Sequence, residues 1–155
     1  MPVIQITDSE ILMLNVLGGM RSLVARCAGV TDAKMGSQDG LNADVDGLMA
    51  EYAFCKWKNV FPDLAPSPRS GSADCVYKGL RIDIKSTRYL SGKLLATLKD
   101  NPDVDIYVLA IVKDREIDFV GWASKEELCR EENIKDLGHG RGYCLEQEKL
   151  RKFVE

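Results

Sequence analysis

Two carboxylates and a lysine lie close together near the middle of the sequence. Asp74 comes directly before the short run 75–77, and Asp83 and Lys85 follow the turn residues Lys78-Gly79. Carboxylates are costly to bury unless a partner compensates their charge, and a divalent cation is such a partner. A lysine can contact a phosphate or help to orient and deprotonate an attacking water. These residue types in this order favour metal-assisted hydrolysis of a phosphate ester.

The expected metal is a hard divalent cation. Asp74 and Asp83 can offer carboxylate oxygens to one ion, with the Ile84 carbonyl and waters completing an octahedron. Zinc would usually recruit histidine or cysteine, so this all-oxygen set favours Mg²⁺ or Mn²⁺. The single histidine, His139, lies in the glycine-rich segment 138–142, which reads as a surface loop. A histidine-based metal site therefore has no support.

Alternation of apolar and charged residues predicts how these side chains are positioned. Lys78-Gly79 is a turn signal, and the residues after it alternate strictly, which indicates a β-hairpin. Alternate side chains of a strand face opposite sides, so Leu80, Ile82 and Ile84 should face the core. The intervening charged residues should share the other face: Arg81, Asp83 and Lys85. The alternative is that this face is simply the solvated side of a half-exposed hairpin.

A helix is expected upstream of this hairpin, from about Asn42 to Val60. Its apolar residues cluster on one side: Val45, Leu48, Met49, Tyr52 and Cys55. Helical geometry places Glu51 at the edge of that stripe, where a side chain can border the core and still reach a cleft. Charged helix residues ordinarily face solvent, so a solvated Glu51 is the alternative.

The N-terminal part is expected to be a helix followed by a loop. Thr7 and Glu10 have the spacing of a capping box, which predicts a helix start. An apolar stripe follows and must pack against something, either the core or another subunit: Met13, Leu17, Met20, Val24 and Cys27. Residues 31–40 should form a polar loop. The proline-rich stretch 61–72 should form an irregular connection.

The second half of the chain predicts further helices and strands. Residues 91–99 contain three leucines and are expected to form a short helix, and the apolar run 105–113 a central strand covered on both faces. A second strand should span 116–123. Ser124 and Glu127 form a second capping box, which predicts a helix ending near residue 132. A short extended stretch is expected around 143–145.

Composition and charge set the broad class. The chain has 155 residues, of which 45% are hydrophobic and 29% charged, which suits one soluble domain. A net charge of −3 argues against a surface that is entirely a nucleic-acid footprint, although one basic groove remains compatible. Neither a signal peptide nor a membrane span is expected, and the five scattered cysteines should be reduced and mostly buried. These features lead us to expect a cytoplasmic protein with no membrane partner.

The motifs resemble the PD-(D/E)xK nucleases of restriction-endonuclease-like fold. Ala73-Asp74 resembles the first motif, Asp83-Ile84-Lys85 the second, and the helical segment from Gly47 to Glu51 the helix that often donates an extra acid. The family's proline is replaced by alanine, and its second acid is aspartate. The layout is especially similar to small phage-encoded members, which would place the protein in the host cytoplasm.

This resemblance implies a single nuclease domain over residues 1–155. It would have an N-terminal helix and loop (1–40), a nuclease core (41–124) and a C-terminal helix and tail (125–155). The implied fold is α/β, with a mixed central sheet flanked by helices. Asp74, Asp83 and Glu51 would be metal ligands, Glu51 directly or through water, and Lys85 the catalytic lysine.

The implied activity is Mg²⁺- or Mn²⁺-dependent hydrolysis of DNA, with affinity coming mainly from phosphate contacts. The candidate DNA-binding residues are Lys78, Arg81, Ser86, Thr87, Arg88, Lys93 and Arg141. Cutting two strands would favour a homodimer or tetramer. The alternatives are a junction resolvase with the same site, or a non-catalytic DNA-binding or assembly protein that retains the fold.

Overall fold

The computed structural model describes residues 1–29, 40–66, 73–99 and 101–154, with only the backbone for 40–44. In chain order the elements are β1 (Val3–Gln5), α1 (Asp8–Cys27), α2 (Gly40–Lys58), β2 (Cys75–Tyr77), β3 (Leu80–Thr87), β4 (Leu94–Thr97), β5 (Ile106–Lys113), β6 (Glu116–Ser124), α3 (Lys125–Leu128), β7 (Ile134–Asp136) and β8 (Arg141–Leu145). Short 3₁₀ helices span Glu131–Asn133 and Gln147–Lys149. The loop expected at 31–40 lies outside the described residues except for residue 40. The connection expected at 61–72 is described only as far as residue 66.

A mixed five-stranded sheet forms the centre of the fold, in the order β1-β6-β5-β3-β2. β3 and β5 are parallel, whereas the other neighbouring pairs are antiparallel. The prediction of a central apolar strand is confirmed, because β5 lies in the middle and its residues from Tyr107 to Val112 are all buried. The predicted α/β class with a mixed central sheet is confirmed as well.

Helices α1 and α2 cover one face of this sheet. Leu14 of α1 and Leu48 and Phe54 of α2 pack in one core cluster with Ile84 of β3 and Phe119 of β6. The predicted capping box that begins α1 is present. α2 has the expected buried stripe, and this stripe holds the helix against β3.

The other face is covered largely by a second sheet rather than by helices. This three-stranded sheet has the order β4-β8-β7, and Leu94 and Leu145 from it pack with Leu109 of β5 and Leu128 of α3. The expected helix at 91–99 is therefore wrong. Residues 94–97 form β4, in which alternate side chains are buried and the backbone pairs with β8. Three leucines in a short run are compatible with a strand as well as with a helix, and backbone pairing with β8 stabilises the strand.

The helix expected from Ser124 to residue 132 is shorter than predicted. Its capping box is present, but α3 ends at Leu128 and a separate 3₁₀ turn follows. Asn133 ends the helix by donating its side-chain N–H groups to the carbonyls of Glu127 and Leu128. Those carbonyls would otherwise accept bonds from a continuing helix. The extended stretch expected around 143–145 is confirmed as part of β8.

The apolar stripe of α1, which was expected to pack against the core or another subunit, faces mostly outward. Of its five residues, Leu17 packs on the core, whereas Met13, Met20, Val24 and Cys27 are exposed. The buried face instead contains Leu14, Gly18 and Ser22. Gly18 explains the choice, because a Cβ there would lie 2.8 Å from Val45 Cγ2 of α2. Close approach at this glycine sets which face turns inward.

The hairpin prediction is confirmed, with one difference. β2 and β3 pair antiparallel around Lys78 and Gly79, both of which have positive φ. Ile82 and Ile84 are buried as expected, but Leu80 is 46% exposed because it pairs with Tyr77 at the outer end of the hairpin. The opposite face is not simply solvated, since Asp83 is only 9% exposed.

The remaining global expectations concern cysteines and membranes. All five cysteines are free; Cys55 and Cys144 are buried, Cys75 and Cys129 are half-buried, and Cys27 is exposed. None of the helices in the described residues is long and apolar enough to span a bilayer.

Candidate active site

Asp83 and Lys85 lie on the same face of β3, two residues apart. The parallel register with β5 places Asp83 opposite Tyr107 and Lys85 opposite Leu109. Lys85 Nζ lies 2.9 Å from Asp83 Oδ2, and the side chains are 38% and 13% exposed, respectively. The carboxylate is thus the deeper group. Of the two side chains, that of Lys85 is the more exposed.

Asp74 joins this pair from the residue before β2. Its backbone N–H donates to the Ile82 carbonyl at 2.9 Å, and its Oδ2 accepts a hydrogen bond from the Ile84 N–H at 2.7 Å. The N–H and C=O of one strand residue point to the same side. The Ile84 carbonyl, expected as a metal ligand, therefore leaves β3 on the side of Asp74.

Glu51 approaches the cluster from α2. It lies at the edge of the buried helix face, as expected, and its side chain is 19% exposed. Arg21 of α1 lies beside it, with Nη1 3.8 Å from Glu51 Oε2. Arg21 also donates to the carbonyls of Asp63 and Ala65 at 2.7 and 2.8 Å. The sequence did not indicate this arginine, whose contacts link three chain segments next to Glu51.

Electrostatics show that the four predicted side chains act on one another. Burial raises the pKa of Asp74 well above its usual value, and the negative charges of Glu51 and Asp83 raise it further, against the Ile84 hydrogen bond and the Lys85 charge. Burial lowers the pKa of Lys85, but Asp83, Asp74 and Glu51 outweigh it, so that the pKa is raised overall. The structure therefore brings Glu51, Asp74, Asp83 and Lys85 close enough for their charges to interact, and three of the four groups are carboxyl groups.

These residues fit a divalent cation in donor type and in charge. Carboxylate and carbonyl oxygens suit Mg²⁺ or Mn²⁺, and a cation would relieve the repulsion that raises the pKa of Asp74. As arranged here, no three His, Cys, Asp or Glu side chains within the described ranges are grouped closely enough to hold a metal ion. Asp74 instead accepts the Ile84 N–H, and Asp83 is paired with Lys85.

An ion pair at the end of β3 involves Asp46, a residue that the sequence analysis missed. Arg88 donates from Nε and Nη2 to the two carboxylate oxygens of Asp46 at 2.6 and 2.9 Å. Asp46 is 2% exposed, whereas the Arg88 side chain is 60% exposed. The buried acid thus fixes a solvent-facing guanidinium group just after the end of β3. An aspartate beside the apolar stripe of α2 was a usable signal, because a buried charge needs a partner.

The hydroxyl residues after Lys85 have different surroundings. Ser86 lies beside α2, where a Cβ at Gly47 would be 4.0 Å from Ser86 Oγ. Thr87 Oγ1 accepts the Tyr89 N–H at 3.2 Å and so helps to form the turn after β3. Both are near the acidic cluster in sequence, and Thr87 already has this local role.

The other candidate DNA-binding residues lie at the hairpin turn and at the starts of β3, β4 and β8. Arg81 donates to both carboxylate oxygens of Asp105, at 2.9 and 3.0 Å, where β3 and β5 begin. Lys93 precedes β4 and lies 3.3 Å from Glu146, and Arg141 begins β8 in the second sheet. Lys78 lies at the hairpin turn, with Nζ 5.4 Å from the centre of the Tyr77 ring. These four residues thus lie at four different positions in the fold.

Comparison of the chain with protein-family models, with curated proteins and with solved structures finds no match.

Proposed function

We propose that this chain is a metal-dependent nuclease that hydrolyses DNA phosphodiester bonds, most simply as an endonuclease with a restriction-endonuclease-like arrangement. The observation that supports it most is the meeting of Asp74, Asp83 and Lys85 at the β2–β3 edge, with Glu51 close enough to raise the pKa of Asp74. The resemblance of these motifs to PD-(D/E)xK nucleases gives the same residues.

Each residue has a role that follows from its position. Asp74, Asp83 and the Ile84 carbonyl would hold Mg²⁺ or Mn²⁺, with Glu51 as a further or water-mediated ligand. The ion supplies Lewis acidity and lowers the pKa of bound water. Lys85 would place a positive charge where negative charge develops on the phosphate.

DNA would be held mainly through its backbone. Arg88 is the first candidate cation, because Asp46 fixes it just after the strand that carries Asp83 and Lys85 while most of it stays exposed. Ser86 and Thr87 lie on the same strand end, and Arg81, Lys93 and Arg141 would act only on more distant phosphates. Such contacts are independent of base sequence and weaken with salt. The reaction would take place in the cytoplasm, that of the host if the protein is phage-encoded.

A non-catalytic DNA-binding or assembly protein with the same fold is the second candidate. It is favoured by the absence, in the described part of the chain, of three side chains grouped to hold a metal. Incubation with linear, circular, single-stranded and branched DNA, with and without Mg²⁺ or Mn²⁺, separates the two. Metal-dependent cleavage supports the nuclease, preference for branched DNA identifies a junction resolvase, and binding without cleavage supports the second candidate.

We also propose that the protein forms a homodimer through the outer face of α1. Six large apolar side chains there are 37–68% exposed: Leu12, Met13, Val16, Met20, Leu23 and Val24. Monomeric proteins seldom leave so many large apolar side chains exposed on one helix face, which favours an interface there. Gly19, whose Cβ position has open space around it, would let the helices approach closely.

A further inference from the structure

The turn between β3 and β4 presents two large side chains to solvent. Tyr89 is 64% exposed and Leu90 is 69% exposed. Both follow Arg88, which Asp46 holds at the end of β3. Residues 88–90 are called the β3–β4 tip below.

Hydrogen bonds fix the backbone of this tip. The Tyr89 N–H donates to Thr87 Oγ1 at 3.2 Å, and the Gly92 N–H donates to the Tyr89 carbonyl at 2.9 Å. From the other end of the chain, Gln147 Nε2 donates to the carbonyls of Leu90 and Gly92 at 2.8 and 2.7 Å. A side chain at Gly92 would collide with Thr87. Two exposed side chains are thus mounted on an ordered backbone, which lowers the entropic cost of binding through them.

The tip lies on the strand that carries the candidate site. Three residues separate Lys85 from Tyr89, and β3 ends at Thr87, so the tip lies at most about 13 Å from Lys85 along the chain. Arg88 comes directly before Tyr89 and carries a guanidinium group suited to phosphate. A DNA backbone that passes Lys85 and Arg88 would therefore bring bases a few nucleotides from the scissile phosphate up to the tip.

We propose that the β3–β4 tip contacts DNA bases, with Tyr89 stacking on an unstacked base and Leu90 wedging between neighbouring base pairs. The inference rests on the proposed nuclease function and names its substrate class, DNA whose bases are unstacked or become unstacked at the cleavage site. Aromatic side chains stack on exposed bases of any sequence, and apolar side chains inserted between base steps open a duplex. Two side chains beside an arginine form a point of insertion, too small for a protein-docking patch.

The test uses the double variant Tyr89→Ala/Leu90→Ala, with Leu98→Ala as a control because Leu98 is also apolar and 43% exposed. Each is also made in an Asp83→Asn background, so that DNA stays uncut during binding measurements. A duplex carrying 2-aminopurine near the binding site reports unstacking as a rise in fluorescence, with no metal required. Circular dichroism checks the fold of every variant.

We expect Asp83→Asn protein to raise the 2-aminopurine fluorescence, and the double variant to lose that rise. The double variant should cleave intact duplex about ten-fold more slowly, while DNA with a preformed unpaired stretch is cleaved nearly as fast as by the wild type. Tyr89→Phe should behave as wild type because it keeps the ring. The Leu98→Ala control should change neither readout.

The two proposals fail in different ways. Unchanged fluorescence and unchanged duplex cleavage in the double variant overturn the tip inference and leave the nuclease proposal standing. A tip-dependent fluorescence rise in a protein that cleaves no DNA with Mg²⁺ or Mn²⁺ overturns the nuclease proposal and supports base contact by the tip. An equal loss of cleavage on duplex and on unpaired DNA also overturns the inference, because base opening would then play no part.

Discussion

Lys85 is held as a cation by its surroundings. Burial alone would favour the neutral amine, but the Asp83 carboxylate 2.9 Å away and the charges of Asp74 and Glu51 reverse this, so that the pKa of Lys85 is raised. A lysine that stays protonated is poorly suited to remove a proton from water. It is well suited to stabilise negative charge on a phosphate as the transition state forms.

Replacing Lys85 with alanine should therefore reduce turnover much more than DNA binding. We expect kcat to fall by roughly a hundred-fold or more, and the Kd for DNA to change by less than about three-fold. Single-turnover kinetics and fluorescence anisotropy measure the two quantities. The exposed Lys149→Ala variant is the control. Equal losses in both quantities would make Lys85 an ordinary phosphate anchor.

A metal titration can decide whether Glu51 helps to hold the cation. If it helps to hold the cation, Glu51→Gln removes one negative charge near the ion and should raise the Mg²⁺ concentration for half-maximal cleavage by about ten-fold. Glu132→Gln, at a 73% exposed side chain, is the matched control. Superimposable Mg²⁺ titration curves for wild type and Glu51→Gln would remove Glu51 from the site.

Site residues could be predicted from the sequence where they belong to a strand or helix pattern, and not where they depend on a partner distant in sequence. Asp83 and Lys85 were predictable from strand alternation, and Glu51 from its place at the edge of a helix stripe. Asp46 and Arg21 were missed because their partners, Arg88 and Glu51, are far away in sequence. Alternation also put Arg81 on the site face, but a distant acid, Asp105, holds its guanidinium group.

The same Asp105, which precedes β5, links the starts of β3 and β5 through Arg81. Its carboxylate accepts from the Arg81 side chain and backbone, and these bonds, with the Arg81 charge, lower the pKa of Asp105 to about 2. A lowered pKa adds stability above the ordinary aspartate pKa, and that contribution is lost as the pH falls through the folded-state value. The effect is modest because the pair is open to solvent.

Asp105→Asn should therefore lower the melting temperature at pH 6 and have almost no effect near pH 2. Thermal unfolding followed by circular dichroism across this pH range measures the difference. Asp103→Asn is the matched control, since Asp103 lies 3.6 Å from the same arginine but is 60% exposed, and its effect should be smaller at every pH. A destabilisation by Asp105→Asn that is equal at pH 2 and pH 6 would contradict this account.

Elements were predictable where local signals agreed with tertiary contacts. Both capping boxes marked true helix starts, because the bonds that define them lie within four residues. β4 was predicted as a helix because its strand partner, β8, lies far along the chain. For α1, periodicity predicted that the apolar stripe would be buried. The face that contains Gly18 is buried instead, because it allows closer packing on α2.

At the scale of the whole molecule, the outward apolar face of α1 predicts a dimer. Between Leu12 and Val24 this exposed face holds no charged residue, so a nucleic-acid backbone is a poor partner for it and another apolar face is a good one. The two proposed active sites of such a dimer would then act on the two strands of a duplex.

Met20→Glu, next to Gly19, should convert a dimer into a monomer of 17.2 kDa. Light scattering coupled to size exclusion gives the mass directly. Asn15→Glu is the control, because it adds the same charge at an exposed position of the same helix outside the six-residue apolar cluster. A wild-type protein that is monomeric at micromolar concentration would contradict the proposed dimer.

The most direct test of the central proposal is DNA cleavage by wild type and Asp83→Asn in Mg²⁺, in Mn²⁺ and in excess chelator. Asparagine keeps the volume of Asp83 and relieves part of the repulsion on Asp74, but it also removes the carboxylate that pairs with Lys85, so circular dichroism must confirm that the variant is folded. The account predicts wild-type cleavage with either metal, none with chelator, and loss of cleavage to background in Asp83→Asn. Cleavage by a folded Asp83→Asn variant at the wild-type rate in Mg²⁺ would contradict it.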